Sequence, residues 1–315
     1  MQRVLFHHDA SPASRSRLSA LAECGLRVTI VPAADRAGLE RALPDTEVLW
    51  HVLVPVTAEM IDRAPRLVLV QKIGVGVNTI DLEACRARGI AVCNMPGTNS
   101  RAVAELALGL MLAVLRRIPV LDRATRAGRG WALPDALADR FGELAGRRVG
   151  LLGMGAVPRL LAPVLTAMGA EAVYWSRTAK PDAPARYMPL DELLATSEVV
   201  SLHLPLVPDT RRLLSAERIA RMKPGAILIN TARGALVDEA ALVAALTRGH
   251  LAGAGLDVFE QEPLPSDHPL LALEQVVVTP HLAWLTPETL ERSFAVAVEN
   301  CRRLRAGEPL LHRVA

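Results

Sequence analysis

Lysine is almost missing from this chain: Lys72, Lys180 and Lys223 are the only three in 315 residues. Positive charge is therefore carried almost wholly by arginine, and the formal net charge is only +3. So small an excess excludes the broad basic footprint of a nucleic-acid-binding protein. Cysteine is scarce too. Cys24, Cys85, Cys93 and Cys301 stand far apart, with no C-x-x-C pair and no histidine at zinc-ligand spacing. That scatter argues against a disulfide framework or a structural metal site, so a reduced, metal-free protein is expected. No apolar run has the length of a membrane span; the most apolar window, residues 102–115, is short and contains Glu105. The opening MQRVLFHHDASPASR lacks the pattern of a signal peptide. A cytoplasmic location is the expectation. Internal repeats, low-complexity tracts and long linkers are missing as well.

What is present is a hydrophobic content of 51%, in a chain long enough for two domains. Short β-rich runs alternate with helical patterns throughout, which predicts parallel α/β architecture. A first series of strands is expected at 4–6, 26–31, 48–52, 67–71 and 90–93. A second is expected at 149–152, 172–175, 199–202, 226–230, 255–258 and 276–279. Several runs are apolar without alternation, as when helices cover both faces of a sheet. Between the series, Ser100 reads as the N-cap of a helix. Val103, Leu106, Leu110, Met111 and Val114 share one face of it, while Ala107, Leu108, Leu112 and Leu115 cover much of the rest. Such a helix must be buried on several sides, by a second subunit in a homodimer or by an intrachain core. The homodimer is the favoured expectation.

The second series opens with Val149-Gly150-Leu151-Leu152-Gly153-Met154-Gly155-Ala156-Val157-Pro158. A Gly-x-Gly at a strand-to-helix turn brings backbone close to a pyrophosphate and aims free N–H groups and a positive dipole end at it. Glycine turns also occur for steric reasons alone. Pro158 replaces the third glycine of the fingerprint; proline is tolerated in a helix's first turn, so the turn survives with Ala156 and Val157 N–H available and a slightly displaced helix. Where an acidic residue would bond a ribose 2′-hydroxyl, about 20 residues on, this chain has Ser176, Arg177 and Thr178. Serine and arginine can bind a 2′-phosphate that a carboxylate would repel. NADP(H) is therefore favoured over NAD(H).

Three ordered motifs follow. The first is Ser201-Leu202-His203-Leu204-Pro205-Leu206, and the second runs from Met222-Lys223-Pro224-Gly225 to Asn230-Thr231-Ala232-Arg233-Gly234. The third is Gly255-Leu256-Asp257-Val258-Phe259-Glu260-Gln261-Glu262-Pro263 with Thr279-Pro280-His281. Together they resemble the D-isomer-specific 2-hydroxyacid dehydrogenases, a family that includes glyoxylate/hydroxypyruvate reductases, phosphoglycerate dehydrogenases and D-lactate dehydrogenases. Residues 72–78, 94–116 and Trp131 extend the resemblance over most of the chain.

The resemblance implies two Rossmann-like domains: a flavodoxin-like substrate domain of residues 1–98 plus 283–315, and a doubly wound parallel-sheet NAD(P)-binding domain of residues 99–282. It implies catalysis in a cleft that closes by hinge motion. Arg233, Glu262 and His281 take the family's catalytic places; Val75 and Gly76 match its carboxylate-binding turn, and Asp257 the residue that holds the nicotinamide carboxamide. The cofactor contacts expected are Val75, Gly153, Gly155, Ala156, Val157, Ser176, Arg177, Thr178, His203, Leu204, Pro205, Thr231, Ala232, Arg233, Asp257 and His281. Substrate contacts are expected at Val75, Gly76, Arg233 and His281.

The residue types suit the chemistry without the family. Hydride arriving at C2 of a keto acid leaves an alkoxide that needs a proton, and imidazole is matched to supply it near neutrality. Glu262 beside His281 would stabilise the protonated ring. Arg233 can bind the carboxylate and carbonyl oxygen and stabilise developing charge. His203 is expected to line the cofactor site, and His7, His8, His250, His268 and His312 to be ordinary surface or loop residues. His51 stands where phosphoglycerate dehydrogenases carry a phosphate-binding arginine, and Trp50, Val52, Leu53, Val54, Trp284 and Leu285 are apolar. A non-phosphorylated substrate is expected, either a small hydroxy-keto acid or one with an apolar tail. Glu262 disfavours a formate dehydrogenase, which has glutamine there. The alternatives are a nucleotide-sensing binding protein like the C-terminal-binding corepressors, for whose partner surfaces the chain leaves little beyond its first strand and last helix, and a relic in which Pro158 has abolished cofactor binding.

Overall fold

The computed structural model describes residues 1–132 and 135–315, in two compact units. The first unit joins Met1–Asn99 to Thr286–Ala315, and the second is Ser100–Leu285. Among the described residues no helix is long and apolar enough to cross a membrane.

The first unit is built on a parallel sheet of β1 (Gln2–His7), β2 (Leu26–Val31), β3 (Val48–His51), β4 (Leu69–Lys72) and β5 (Ala91–Cys93). Its order β2-β1-β3-β4-β5 is the flavodoxin-like arrangement. In the second unit the strands are β6 (Arg148–Leu152), β7 (Glu171–Trp175), β8 (Arg186–Tyr187), β9 (Val199–Leu202), β10 (Ile227–Asn230), β11 (Gly253–Leu256) and β12 (Val276–Val278). They pair in parallel in the order β12-β11-β10-β9-β6-β7-β8. The order reverses direction between β6 and β9, and ligands of doubly wound sheets bind beyond the carboxyl ends at such a point. Strand bounds shift by up to two residues, as at β1 and β4, and two departures stand out. The exposed Arg186–Tyr187 pair has no apolar run to announce it. β11 starts at Gly253 rather than Gly255, because glycines carry no hydrophobic signal.

Those glycines fix the next layer. A Cβ on Gly253 would lie 2.7 Å from the Val114 side chain, and one on Gly255 would lie 2.9 Å from Leu110 Cβ. Helix α1 (Ser100–Leu115) can therefore press closely against β10 and β11. Ser100 is the first residue of this helix and buried, not its cap. Ala104, Ala107, Leu110, Met111, Val114 and Leu115 enter the core of the second unit. Burial of Leu110 or Met111 contributes about 1.5–3 kcal/mol each. Leu106, Leu108 and Leu112 are only partly covered.

In the first unit the C-terminal helix, Pro287–Ala306, starts at Thr286, whose hydroxyl accepts the Thr289 N–H. Phe294 stacks on Trp50 and meets Phe6 edge-on, with ring centroids 5.9 and 5.8 Å apart. Buried Asn300 donates to Gln71 Oε1 at 2.6 Å and to the Leu311 carbonyl at 3.1 Å, and accepts the Leu311 N–H. Helix, tail and β4 are thereby joined through one amide.

Candidate active site

The expected site residues of the second unit all lie at the carboxyl ends of its strands or just beyond. After β6, Gly153 adopts φ 108°, and a Cβ there would lie 2.5 Å from the His203 carbonyl oxygen. Only glycine allows this crossing. Gly155 differs: a Cβ on it would meet nothing within 4 Å, so protein packing does not require glycine there. The open space suits close approach by a ligand's pyrophosphate. Gly155 caps helix α2 (Ala156–Ala167) without a side-chain bond, and the first-turn N–H groups of Ala156 and Val157 have no intrahelical acceptor. Pro158 is buried in that first turn, where its missing N–H removes no intrahelical bond. The helix also continues through Pro163, which belongs to no motif of the sequence.

Beyond β7, Tyr174 ties down the next turn by accepting the Lys180 N–H and donating to its carbonyl. Buried Ser176 donates its hydroxyl to the Thr178 carbonyl at 2.7 Å. This narrows the expectation for a 2′-phosphate, because that donor is already committed to the turn. Arg177 and Thr178 are exposed, and Arg177 has no ion pair or hydrogen bond among the described residues. His203 follows β9, 3.0 Å from the Ser201 hydroxyl, and burial pushes its pKa down to about 4. It is a neutral ring at physiological pH. Half-buried Leu204 packs on the core, and the Pro205 carbonyl accepts the Thr210 hydroxyl. The buried Thr231 hydroxyl has no hydrogen-bond partner among the described residues, as expected of a group that meets a ligand.

At the end of β10, Asn230 accepts the Ala232 N–H at 3.0 Å and donates to the Arg233 carbonyl at 2.9 Å. Its neighbour Gly234 lies so close to the 259–260 backbone that a Cβ would sit 1.9 Å from the Phe259 carbonyl carbon. These two residues, given no role from sequence, set the path of the turn that carries Arg233. The Arg233 guanidinium donates to the Ala232 carbonyl; burial lowers its pKa while the charge of Glu262 opposes the shift.

Glu262 and His281 form a direct pair, Oε2 to Nδ1 at 2.6 Å. Glu262 Oε1 accepts the Phe259 N–H at 3.0 Å. Burial pushes the Glu262 carboxyl up, but the bond and charge of His281, the Phe259 N–H and Arg233 outweigh it, leaving the carboxyl below its usual range. With Nδ1 turned to the carboxylate, Nε2 is the ring atom left for a ligand.

Asp257 explains how His281 is held. Fully buried, its carboxylate accepts the Thr279 hydroxyl at 2.6 Å and the N–H groups of Leu282 and Ala283 at 2.9 Å each. Its backbone carbonyl accepts the His281 N–H at 2.8 Å. The loop can thus keep His281 at φ 56°, the left-handed region, while Trp284 Nε1 donates to the His281 carbonyl. The sequence alone assigns Asp257 only a cofactor contact.

In the first unit, Gly74 at φ 142° opens the turn, and Asn94 holds it by donating to the Val75 carbonyl at 2.9 Å. The N–H groups of Val75 and Gly76 donate to no acceptor among the described residues and stand ready for an anion. His7 corrects an expectation: it ends β1 and is buried, in register with His51 of β3, which is in register with Lys72 of β4. Its neighbours His8 and Asp9 made it read as a polar surface residue. Desolvation, then the charge of Lys72, holds His51 well below the ordinary histidine value. His268 lies in a loop as expected, with its Nε2 3.1 Å from Glu239 Oε1. Among the described residues no group of acidic, cysteine and histidine side chains could hold a metal ion.

Residues 108–283 match the family described as D-isomer specific 2-hydroxyacid dehydrogenase, NAD binding domain. The chain is 40% identical over 297 residues to the D-3-phosphoglycerate dehydrogenase of Mycobacterium tuberculosis, covering 92% of this chain but 55% of that protein. It thus spans little more than half the length of the mycobacterial relatives. Similarity to the glyoxylate reductase of Korarchaeum cryptofilum runs nearly end to end, at 36% identity over 97% of this chain and 93% of that one. A solved structure from Thermus thermophilus superposes with a TM-score of 0.90 at 42% identity, covering both chains completely.

Because Asp257 is the anchor of the His281 loop, Asp257→Asn puts an amide donor or a weaker acceptor against N–H groups that need a carboxylate. Amide hydrogen exchange at Leu282 and Ala283 is expected to speed up by about tenfold or more, with helix content unchanged. Unaltered protection at both amides would remove the anchoring role.

Proposed function

The chain belongs to the D-isomer specific 2-hydroxyacid dehydrogenase family, and on that premise we propose that it transfers hydride between NAD(P)H and a non-phosphorylated 2-keto acid, yielding the D-2-hydroxy acid, as glyoxylate and hydroxypyruvate reductases do. The observation that carries the reading is the Glu262–His281 pair beside half-buried Arg233. A reduced nicotinamide supplies the hydride when bound. His281 gives the proton from Nε2 to the oxygen that becomes the alkoxide, and ionised Glu262 stabilises the ring in its charged form. Arg233 keeps a full charge in a desolvated setting, where it polarises the carbonyl and binds the carboxylate. The Val75 and Gly76 amides of the first unit are assigned to a substrate carboxylate oxygen. His51, kept neutral by its burial and by Lys72, offers no charge to a substrate phosphate.

Three features support NADP(H) over NAD(H). No carboxylate stands at positions 176–178, Arg177 is exposed and has no partner among the described residues, and Thr178 lies beside it. A homodimer is supported by an apolar stripe that the sequence did not announce. Leu160 and Val164 of α2 and its C-cap Met168 are 39%, 44% and 39% exposed at helical spacing, and α2 packs against α1 with its partly covered Leu108 and Leu112.

Initial rates with NADPH and NADH against glyoxylate, hydroxypyruvate, pyruvate, phenylpyruvate and branched 2-keto acids test the function. Turnover is expected, faster with NADPH, and His281→Ala should lower it by about 10²–10⁴-fold while NADPH binding persists. Binding of NADPH with no turnover on any acid would instead favour a nucleotide-sensing protein. For the dimer, sedimentation should give twice 33.9 kDa for the wild type and a single mass for Val164→Glu. A wild type that sediments as a monomer at micromolar concentration would end that reading.

A further inference from the structure

The second unit holds a cavity of about 500 Å³ at the edge of its sheet opposite the glycine turn, beside the start of β10 and the loops that lead into β11 and β12. Three arginines line it: Arg117, Arg140 and Arg147. None of the three is ion-paired with a carboxylate among the described residues, although Asp139 also lines the cavity. Arg117 is the most unusual. It follows α1 at φ 51°, a conformation that costs a non-glycine residue about 1 kcal/mol or more, and its Nε is buried with no hydrogen-bond partner among the described residues. Burial, and then the charge of Arg140, lower its pKa against the pull of Glu274. Arg147 spends only its Nε, on the Glu143 carbonyl at 2.7 Å. Space for its guanidinium depends on Gly142, where a Cβ would lie 2.5 Å from Arg147 Nη2.

Helix α1 ends here, as does the helix Glu239–Thr247, and cations gain something from helix C-termini. That gain accounts for charge at the rim. It leaves the orphaned Nε, the left-handed arginine and the mutual repulsion of two guanidiniums without compensation. An anion in the cavity offsets the repulsion and gives the accessible guanidinium N–H groups an acceptor, while the backbone conformation and the inaccessible Nε stay as they are. The rest of the lining is mixed: Thr247 and Gln275 are polar, Val114, Leu246 and Leu251 are buried, and Phe141, 38% exposed, is the apolar side chain open to a ligand.

We propose that this cavity binds a phosphorylated small molecule, its phosphoryl oxygens on Arg117, Arg140 and Arg147 and its organic body against Phe141. Three guanidiniums suit the three terminal oxygens of a phosphate monoester, and the exposed Phe141 ring favours an aromatic ester over the free ion. The site lies at the opposite edge of the sheet from the nucleotide turn and does not depend on the activity proposed above.

Calorimetric titration with phenyl phosphate and with inorganic phosphate, at ionic strength held constant with chloride, tests this. Phenyl phosphate is expected to bind at least about tenfold more tightly than inorganic phosphate. Arg140→Gln, at an exposed residue whose loss should not disturb folding, is expected to weaken binding about tenfold or more, and Arg177→Gln to leave it unchanged. Absence of binding overturns the proposal. So does binding that survives Arg140→Gln, or that is lost in Arg177→Gln, which would put the anion at the nucleotide turn.

Discussion

Asp257 is a carboxylate with no exposure to solvent, and the arrangement around His281 depends on what it accepts. One hydroxyl and two backbone N–H groups converge on its oxygens, and its own carbonyl takes the His281 N–H. Hydrogen bonds to a charged group contribute about 1.5–3 kcal/mol each, enough to offset the left-handed conformation of His281. Desolvation still prevails at Asp257 itself and raises its carboxyl above the ordinary value, against the hydrogen bonds that lower it. A carboxyl raised on folding contributes stability in acid and loses it as the pH rises through the folded value. At neutral pH the ionised group is therefore kept at some expense to the fold, in return for a rigid loop.

Close backbone approach is the second constraint. Gly234 lets the Arg233 turn lie against the 259–260 segment, from which Glu262 follows. Gly153 lets the turn after β6 cross the His203 carbonyl. Gly253 and Gly255 let α1 settle onto the sheet whose far ends carry Arg233 and Asp257. In each case a Cβ would clash, most severely at Gly234, and misplacement of about an ångström is expensive in catalysis.

The sequence disclosed most of the architecture because parallel strands covered on both faces read as uninterrupted apolar runs. It failed at Arg186–Tyr187, which is exposed and two residues long, and at the start of β11, which is half glycine. Glu262, His281 and Arg233 were legible through motif resemblance and chemical type, and the structure brings Glu262 and His281 into contact. The supporting parts were not legible. Asn230 and Gly234 sit inside a quoted motif but act through backbone contacts that no residue pattern displays. The second role of Asp257 and the commitment of the Ser176 hydroxyl are matters of hydrogen-bond direction, which only coordinates provide. The apolar stripe of α2 was hidden because Pro158 and Pro163 interrupt the helical pattern in which Leu160, Val164 and Met168 would be read.

The central claim is that His281 delivers the proton and that ionised Glu262 keeps it charged for the task. The pH dependence of kcat/KM for keto-acid reduction, compared between wild type and Glu262→Gln, tests it most directly. The claim requires the alkaline limb, where the acid is lost, to move to lower pH in the variant. Coincident alkaline limbs in the two proteins would contradict it.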